Sequence, residues 1–145
     1  MTINYVEINQ RALNLLLSVK KHTSAVDPQL KALLEIRVSQ INGCAYCVDL
    51  HSREARELGV RQQLLDCLPV WKECGFFSAG QMAALQWAEG VTNISTESKI
   101  EAKLQKLLEH FSESEVVDIT IVVSVMNSLN RLAISFGDKP AKRTE

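Results

Sequence analysis

The chain has 145 residues, of which 46% are hydrophobic and 23% charged, and its formal net charge is −1. This length predicts a single domain, residues 1–145, with a core that needs no disulfide cross-links. The near-neutral charge argues against nucleic-acid or membrane partners. We find no signal-peptide pattern and no apolar run that approaches bilayer-spanning length, and therefore predict a cytoplasmic protein.

Two helices are predicted before the first cysteine. Residues 5–21 carry apolar side chains at helical spacing, which predicts one amphipathic helix. Asp27-Pro28 then supplies the N-cap and first-position residues of a second helix. We expect that helix to end at Asn42-Gly43, because this dipeptide is typical of turns and helix ends.

The segment that contains the first two cysteines is also predicted to be helical. Residues 44–58 are rich in helix formers, contain no proline and are followed by Gly59, a residue typical of helix C-termini. Residues 61–67 predict a further short helix, which Pro69 interrupts. The first cysteines should therefore lie on the first turn of a helix.

Three more helices are predicted in the C-terminal half. Two begin at capping boxes, in which Ser78 and Ser112 are each followed three residues later by Gln or Glu. The first of these helices should end at Gly90, and the second should extend through Phe136. Between them, apolar residues at offsets of four, seven, eight and eleven from Ile100 form one helical stripe.

Residues 116–123 are the segment that most favours a strand, because they are rich in β-branched side chains. The apolar pattern continues for more than twenty residues without a break, however, and that length favours a helix. Because the segment is apolar on nearly every side, we predict a central, buried helix. The predicted fold class is therefore an all-α helical bundle, with a frayed polar tail at residues 138–145.

Cys44, Cys47 and His51 form the motif with the clearest chemical meaning. Spacings of three and four place these side chains on one helix face, because successive residues are rotated by about 100°. The positive end of the helix dipole favours the thiolate form of a cysteine. A neighbouring histidine favours it when protonated, or accepts the thiol proton when neutral. The pattern predicts a reactive, reversibly oxidised dithiol.

The stretch from Glu35 to His51, EIRVSQINGCAYCVDLH, resembles the core motif of alkylhydroperoxidase D-like proteins in the carboxymuconolactone decarboxylase family. The likeness extends over most of residues 5–136. It implies an all-α fold, a homo-oligomer (a trimer or hexamer), no bound cofactor or metal, and thiol-dependent reduction of hydroperoxides in antioxidant defence. It also implies that Cys47 attacks the peroxide and that Cys44 resolves the product as a disulfide. An external thiol donor, often a lipoylated protein, then reduces this disulfide.

The sequence departs from this family at the relay glutamate, which usually lies twelve residues before the first cysteine. Ala32 stands at that position and cannot carry a proton. The nearest acid is Glu35, about one helical turn further along the same face. A carboxylate among leucines is costly unless it is paired, so Glu35 is predicted either to orient His51 in a His/Glu proton relay or to pair with Lys31. The predicted catalytic residues are Cys44, Cys47, His51 and Glu35.

The cysteine pair also suits other functions. A general disulfide oxidoreductase, a redox sensor and a Zn-binding module all use Cys-x-x-Cys, although a second ligand pair at zinc-finger spacing is missing. Decarboxylation of a carboxymuconolactone does not depend on a cysteine pair, which argues against that activity. The remaining cysteines, Cys67 and Cys74, are predicted to be single buried or incidental thiols.

Asn127, Asn130 and Arg131 form one polar patch on the otherwise apolar last helix. Because buried polar groups need hydrogen-bond partners, we predict a mainly structural role for the patch, at a subunit contact. Trp71 and Trp87 are predicted to belong to the core or to an interface, since large aromatic side chains bury the most apolar area.

Overall fold

The computed structural model of the chain describes residues 3–144, which contain eight α-helices, two 3-10 helices and no strand. The all-α prediction is therefore confirmed. The 3-10 helices are Val19–His22 and Leu68–Glu73. The α-helices are α1 Tyr5–Ile8, α2 Gln10–Ser18, α3 Pro28–Asn42, α4 Ala45–Glu57, α5 Gln62–Cys67, α6 Ala79–Thr92, α7 Ile100–Leu108 and α8 Glu113–Phe136.

The single helix expected over residues 5–21 is wrong, because Asn9 interrupts it. Asn9 has a φ of −136° and a side chain that accepts a hydrogen bond from the backbone N–H of Ala12. Asparagine competes with helical hydrogen bonding in this way, and here it ends α1 and caps α2. Neither α1 nor α2 contains a buried residue, so both lie on the outside of the bundle.

Helix α3 lies at the centre of the bundle and contacts α4, α6 and α8. Its predicted ends are confirmed: the Asp27 carboxylate accepts from the backbone N–H of Leu30, and Gly43 adopts the left-handed conformation with φ of 72°. A side chain at that φ would be strained, which explains the glycine. The tight turn leads directly from α3 into the cysteine motif.

Helix α8 begins and ends as the sequence predicts, with a capping box at Ser112 and a left-handed Gly137. It packs against α3, α6 and α7 and buries side chains such as Val123 and Met126. By length and composition alone, however, α8 could cross a bilayer, with a mean hydropathy of 1.4 over 18 residues, of which 39% are buried. The expectation that no apolar run approaches this length is wrong for α8. The bundle uses α8 as a core helix.

Two other helix ends differ from the prediction. Helix α6 continues past Gly90 to Thr92. A Cβ at Gly90 would lie 3.1 Å from Cδ of Lys103, so the glycine allows α6 and α7 to approach closely rather than ending a helix. Helix α7 ends at Leu108, and Phe111 packs against the core from the turn that follows.

Trp71 and Trp87 are buried in the core, as predicted. The indole N–H of Trp71 donates to Glu89, and that of Trp87 donates to the hydroxyl of Thr120. Buried tryptophans commonly need such a partner for their single donor. These bonds fix α6 against the Leu68–Glu73 helix and α8.

The polar patch on α8 is hydrogen-bonded to the end of α3. The Asn42 amide donates to the carbonyl oxygens of Asn127 at 2.9 Å and Asn130 at 3.0 Å. The fully buried Asn130 in turn donates to Ser39 Oγ at 3.0 Å, and Arg131 donates to Asn127. The patch therefore has a structural role within the chain, and its place at a subunit contact stays a prediction.

Replacing Asn130 by alanine should destabilise the protein by about 1–3 kcal/mol, because it removes the hydrogen bonds that the buried Asn130 side chain makes with Asn42 and with Ser39. Urea denaturation would measure the free energy of unfolding. Ser128→Ala is the matched control, since Ser128 is exposed on the same helix, and it should change stability by less than about 0.5 kcal/mol. Equal losses in both variants would contradict the structural role of the network.

Candidate active site

The cysteine pair lies at the start of α4. Cys44 is the N-cap residue, rather than part of the first turn as predicted, and its sulfur accepts from the backbone N–H of Cys47 at 3.3 Å. The two sulfurs are joined as a disulfide, with Cα atoms 5.3 Å apart. Both residues are buried. The dithiol therefore sits where the helix dipole stabilises a thiolate.

His51 lies one turn further along α4 and is also buried. Its Nδ1 is 2.8 Å from Oε2 of Glu54 and 3.4 Å from Oε2 of Glu35. Carboxylates only accept hydrogen bonds, so a neutral His51 carries its hydrogen on Nδ1. The Nε2 atom then holds the lone pair and is the basic nitrogen of the ring.

Glu35 is paired with Lys20, and the alternative pairing with Lys31 is wrong. The Nζ atom of Lys20 lies 2.5 Å from Oε1 of Glu35, while Lys31 donates to the backbone oxygen of Thr23. The orientation of Lys20 does not make a good hydrogen bond to Oε1, so the contact is chiefly electrostatic. Because Glu35 is only 5% exposed, the ammonium group supplies the compensation that a buried carboxylate requires.

Glu54, like Lys20, is a residue of this cluster that was not predicted from the sequence. It follows His51 by three residues on α4, a spacing that places two side chains on the same helix face. The hydrogen bond from His51 lowers the pKa of Glu54, with a smaller contribution from the nearby Lys20 charge. Glu54 is thus an ionised acceptor for His51. The three-residue spacing from His51 was the available signal.

The lowered pKa of Glu54 predicts a pH-dependent contribution to stability. A depressed folded-state pKa stabilises the protein above the unfolded value of about 4.3, and this contribution is lost as the pH falls through the folded-state value. The stability difference between wild type and Glu54→Gln should therefore shrink in acid. It should not exceed about 1 kcal/mol, because Glu54 is half-exposed and water screens its charge. Urea denaturation at neutral and acidic pH, with Glu57→Gln as control, measures this stability difference. A difference that grows in acid would contradict the lowered pKa of Glu54.

Cys47 and His51 both line a cavity of about 460 Å³ between α4, α8 and the N-terminal helices. Tyr5 also lines it, and burial together with the hydrogen bond to Asp138 raises the pKa of Tyr5 to about 12. The phenol is therefore neutral at physiological pH. Most of the remaining wall is apolar, and four charged residues also line it: Lys20, Glu54, Asp138 and Lys139. The apolar residues include Val6, Leu13, Leu17, Leu50, Met126 and Leu129. This cavity suits an uncharged or apolar molecule.

Glu35, His51 and Glu54 also form a possible metal-binding group, since one ligand atom from each lies within 4.8 Å of the others. The Lys20 ammonium group already lies against Glu35 and would repel a divalent cation. Neither cysteine belongs to this group. Within residues 3–144, this group therefore gives no support to the Zn-binding alternative for the cysteine pair.

Cys67 and Cys74 are free thiols, half-buried at the two ends of the Leu68–Glu73 helix. Both remain single thiols, as predicted, but they lie close enough to interact: burial and the adjacent Cys67 raise the pKa of Cys74. The Cys74 thiol also donates to the backbone oxygen of Val70 at 3.5 Å. A raised pKa keeps this thiol protonated, and it is therefore a poorer nucleophile than a thiolate.

Fold and site together define an all-α protein with a cysteine pair and a buried histidine in the N-terminal half of one helix. The sequence profile of the carboxymuconolactone decarboxylase family matches residues 7–90. The chain belongs to the carboxymuconolactone decarboxylase family, as an alkylhydroperoxidase D-like member.

Relatives extend this similarity to nearly the whole chain. The uncharacterized protein YdfG of Bacillus subtilis (strain 168) is 34% identical over 143 residues, which are 97% of each chain. ATU0492 from Agrobacterium tumefaciens, of unknown function and proposed to be the antioxidant defence protein AhpD, is 31% identical with a TM-score of 0.91, over 98% of this chain and 100% of its own. The AhpD-core, peroxidase-related protein of Ralstonia eutropha JMP134 shares the fold at 22% identity and a TM-score of 0.76, over 94% and 75% of the chains.

Proposed function

We propose that this protein is a thiol-dependent peroxidase that reduces hydroperoxides with the Cys44–Cys47 dithiol, in a cytoplasmic antioxidant role. The observation that carries the proposal is that Cys47 and His51 line one mainly apolar cavity while Cys44 is already bonded to Cys47. The cavity binds the hydroperoxide, His51 accepts and returns a proton, and Cys44 forms the disulfide with the oxidised Cys47. The antioxidant role suggested for ATU0492 supports the same activity.

In the first step the Cys47 thiol gives its proton to Nε2 of His51. The resulting thiolate attacks the distal oxygen of the hydroperoxide, the O–O bond breaks, and Cys47 becomes a sulfenic acid. The departing alkoxide takes the proton back from His51 and leaves as an alcohol. The peroxide is thereby reduced by two electrons, and the sulfur of Cys47 is oxidised by two.

In the second step the Cys44 thiol attacks the sulfenic sulfur of Cys47. A disulfide forms, and the hydroxyl group leaves as water with the proton of the Cys44 thiol. One turnover thus converts a dithiol and a hydroperoxide into a disulfide, an alcohol and water. An external thiol donor then restores the dithiol.

The carboxylates assist by holding the imidazole. When His51 accepts the thiol proton it becomes positively charged, and Glu54 and Glu35 lie at its Nδ1 to stabilise that charge. Lys20 fixes Glu35 in place from the opposite oxygen. In this proposal Glu35, one turn beyond Ala32, takes the role of the family's relay glutamate, and Glu54 also stabilises the protonated His51.

The proposal is tested by hydroperoxide consumption with dihydrolipoamide, dithiothreitol or glutathione as donor. Purified protein should consume cumene hydroperoxide catalytically with at least one dithiol, and far more slowly with the monothiol. Reduction of protein disulfides without any consumption of hydroperoxide would point instead to a general disulfide oxidoreductase. We also propose a homo-oligomer, a trimer or hexamer, and sedimentation giving the mass of one chain would refute that part.

A further inference from the structure

We propose that the external reductant reaches the disulfide from the side opposite to the peroxide and attacks Cys44, through a recess that does not touch Cys47. The inference rests on the proposed function and adds where the second substrate binds. This recess has a volume of about 520 Å³ and lies at the junction of α3 and α4. Cys44 lines it, whereas Cys47 and His51 line only the peroxide cavity.

The two spaces lie on opposite faces of α4. From α4 the recess is lined by Ala45, Val48, Asp49, Ser52 and Arg56. The peroxide cavity is lined from the same helix by Tyr46, Cys47, Leu50, His51 and Glu54. At about 100° per residue, these two sets are centred on roughly opposite sides of the helix, and they share no member. The disulfide at the N-terminus of α4 is therefore accessible from two separate directions.

The chemistry of exchange favours the same sulfur. In thiol–disulfide exchange, the thiol with the lower pKa is the better leaving group. Both sulfurs lie at the helix N-terminus, but Cys47 also has His51 one turn away on α4 to stabilise its departing thiolate. Attack on Cys44 expels the stabilised sulfur of Cys47. Geometry and leaving-group chemistry thus point to the same sulfur.

The reductant that fits this recess is a slender dithiol. Cys44 is only 2% exposed, so a thiol fixed on a broad protein surface cannot reach it, whereas a dithiol at the end of a flexible arm can. The outer rim is formed partly by Asp49, whose carboxylate binds the guanidinium of Arg143 through both oxygens. The recess is therefore an open depression in which Cys44 lies beneath the surface and charged side chains form part of the rim.

The exchange takes place in two steps. One thiolate of the dithiol attacks Sγ of Cys44, the Cys44–Cys47 bond breaks, and Cys47 leaves as a thiolate that takes up a proton. The second thiolate of the reductant then attacks the reductant's other sulfur, which is bonded to Cys44 in the mixed disulfide. This expels the Cys44 thiolate, which is protonated in turn. The dithiol is oxidised to a disulfide, and the enzyme regains both thiols.

Two tryptophan substitutions test the recess and the peroxide cavity independently. Ser52→Trp places a large side chain in the recess, and Leu13→Trp places one in the peroxide cavity. Each half-reaction is measured alone: dihydrolipoamide reduction of protein oxidised with diamide, and oxidation of reduced protein by one equivalent of cumene hydroperoxide. Ser52→Trp should slow reduction about tenfold or more and leave oxidation within about twofold of wild type. Leu13→Trp should show the reverse.

A second recess variant and a trapping experiment test the attack on Cys44 independently. Arg56→Trp, at an exposed position on the recess rim, should reproduce the effect of Ser52→Trp if the latter fails to fold. Oxidised wild type treated briefly with 2-mercaptoethanol and quenched with N-ethylmaleimide should carry the mixed disulfide on Cys44. Slower reduction in Leu13→Trp with normal reduction in both recess variants, or an adduct on Cys47, would overturn the proposal. Because reduction starts from diamide-oxidised protein, a missing peroxidase activity would be seen separately.

Discussion

Cys47→Ser is expected to lose hydroperoxide consumption down to the uncatalysed background, because no other thiol lines the cavity that contains His51. Cys44→Ser should also fail to turn over, for a different reason: its Cys47 still reacts once with hydroperoxide but has no thiol with which to form a disulfide. Dimedone labelling and mass spectrometry should therefore find a sulfenic acid on Cys47 in Cys44→Ser. Cys74→Ser is the control and should retain wild-type turnover.

The opposite labelling pattern would reverse the assignment. A sulfenic acid on Cys44 in Cys47→Ser, with none on Cys47 in Cys44→Ser, would make Cys44 the attacking sulfur. The expected pattern follows from position, since Cys47 shares the peroxide cavity with His51 whereas Cys44 lines the recess on the other face of α4. Rapid-quench sampling is needed, because a sulfenic acid without a resolving thiol oxidises further.

Glu35→Gln is expected to slow the oxidation of Cys47 by about tenfold or more while the melting temperature stays within a few degrees of wild type. Glutamine has nearly the same shape but no charge, so it no longer stabilises a protonated His51 from 3.4 Å. Stopped-flow oxidation of reduced protein, followed across about pH 5 to 9, measures the effect. Glu57→Gln, at an exposed position of α4, is the matched control and should react like wild type.

Lys20→Gln distinguishes the effect of the Glu35 charge on His51 from the effect of the ion pair between Glu35 and Lys20. This variant removes the ammonium group at Oε1 of Glu35 but leaves the carboxylate beside His51. Its oxidation rate should therefore fall less than that of Glu35→Gln. Equal losses in the two variants would mean that the pair acts as a unit, and an unchanged rate in Glu35→Gln over the whole pH range would remove Glu35 from the mechanism.

The features predicted correctly from sequence are those that depend on local chemistry. The N-cap at Asp27, the capping boxes at Ser78 and Ser112, and the left-handed Gly43 and Gly137 each satisfy backbone groups within a few residues. Such interactions need no knowledge of the rest of the fold. The length of the apolar pattern likewise identified α8 as a helix despite its β-branched side chains, because packing decides over propensity there.

The features that were missed depend on contacts between distant segments or on competing local bonds. The pairing of Glu35 with Lys20 requires the N-terminal segment to fold back onto α3, which a spacing rule for Lys31 could not anticipate. Asn9 broke the first helix because its side chain bonded the backbone ahead of it. The separation of Cys44 from the peroxide cavity required the three-dimensional arrangement of α3 and α4.

The most direct test of the account is a thiol count on reduced wild-type protein before and after one equivalent of cumene hydroperoxide. The chain has four cysteines, so the denatured, reduced protein should show four thiols before oxidation and two afterwards. Peptide mapping should find the new disulfide between Cys44 and Cys47, and dihydrolipoamide should restore all four thiols. An unchanged count, or a loss confined to Cys67 and Cys74, would contradict the peroxidase mechanism.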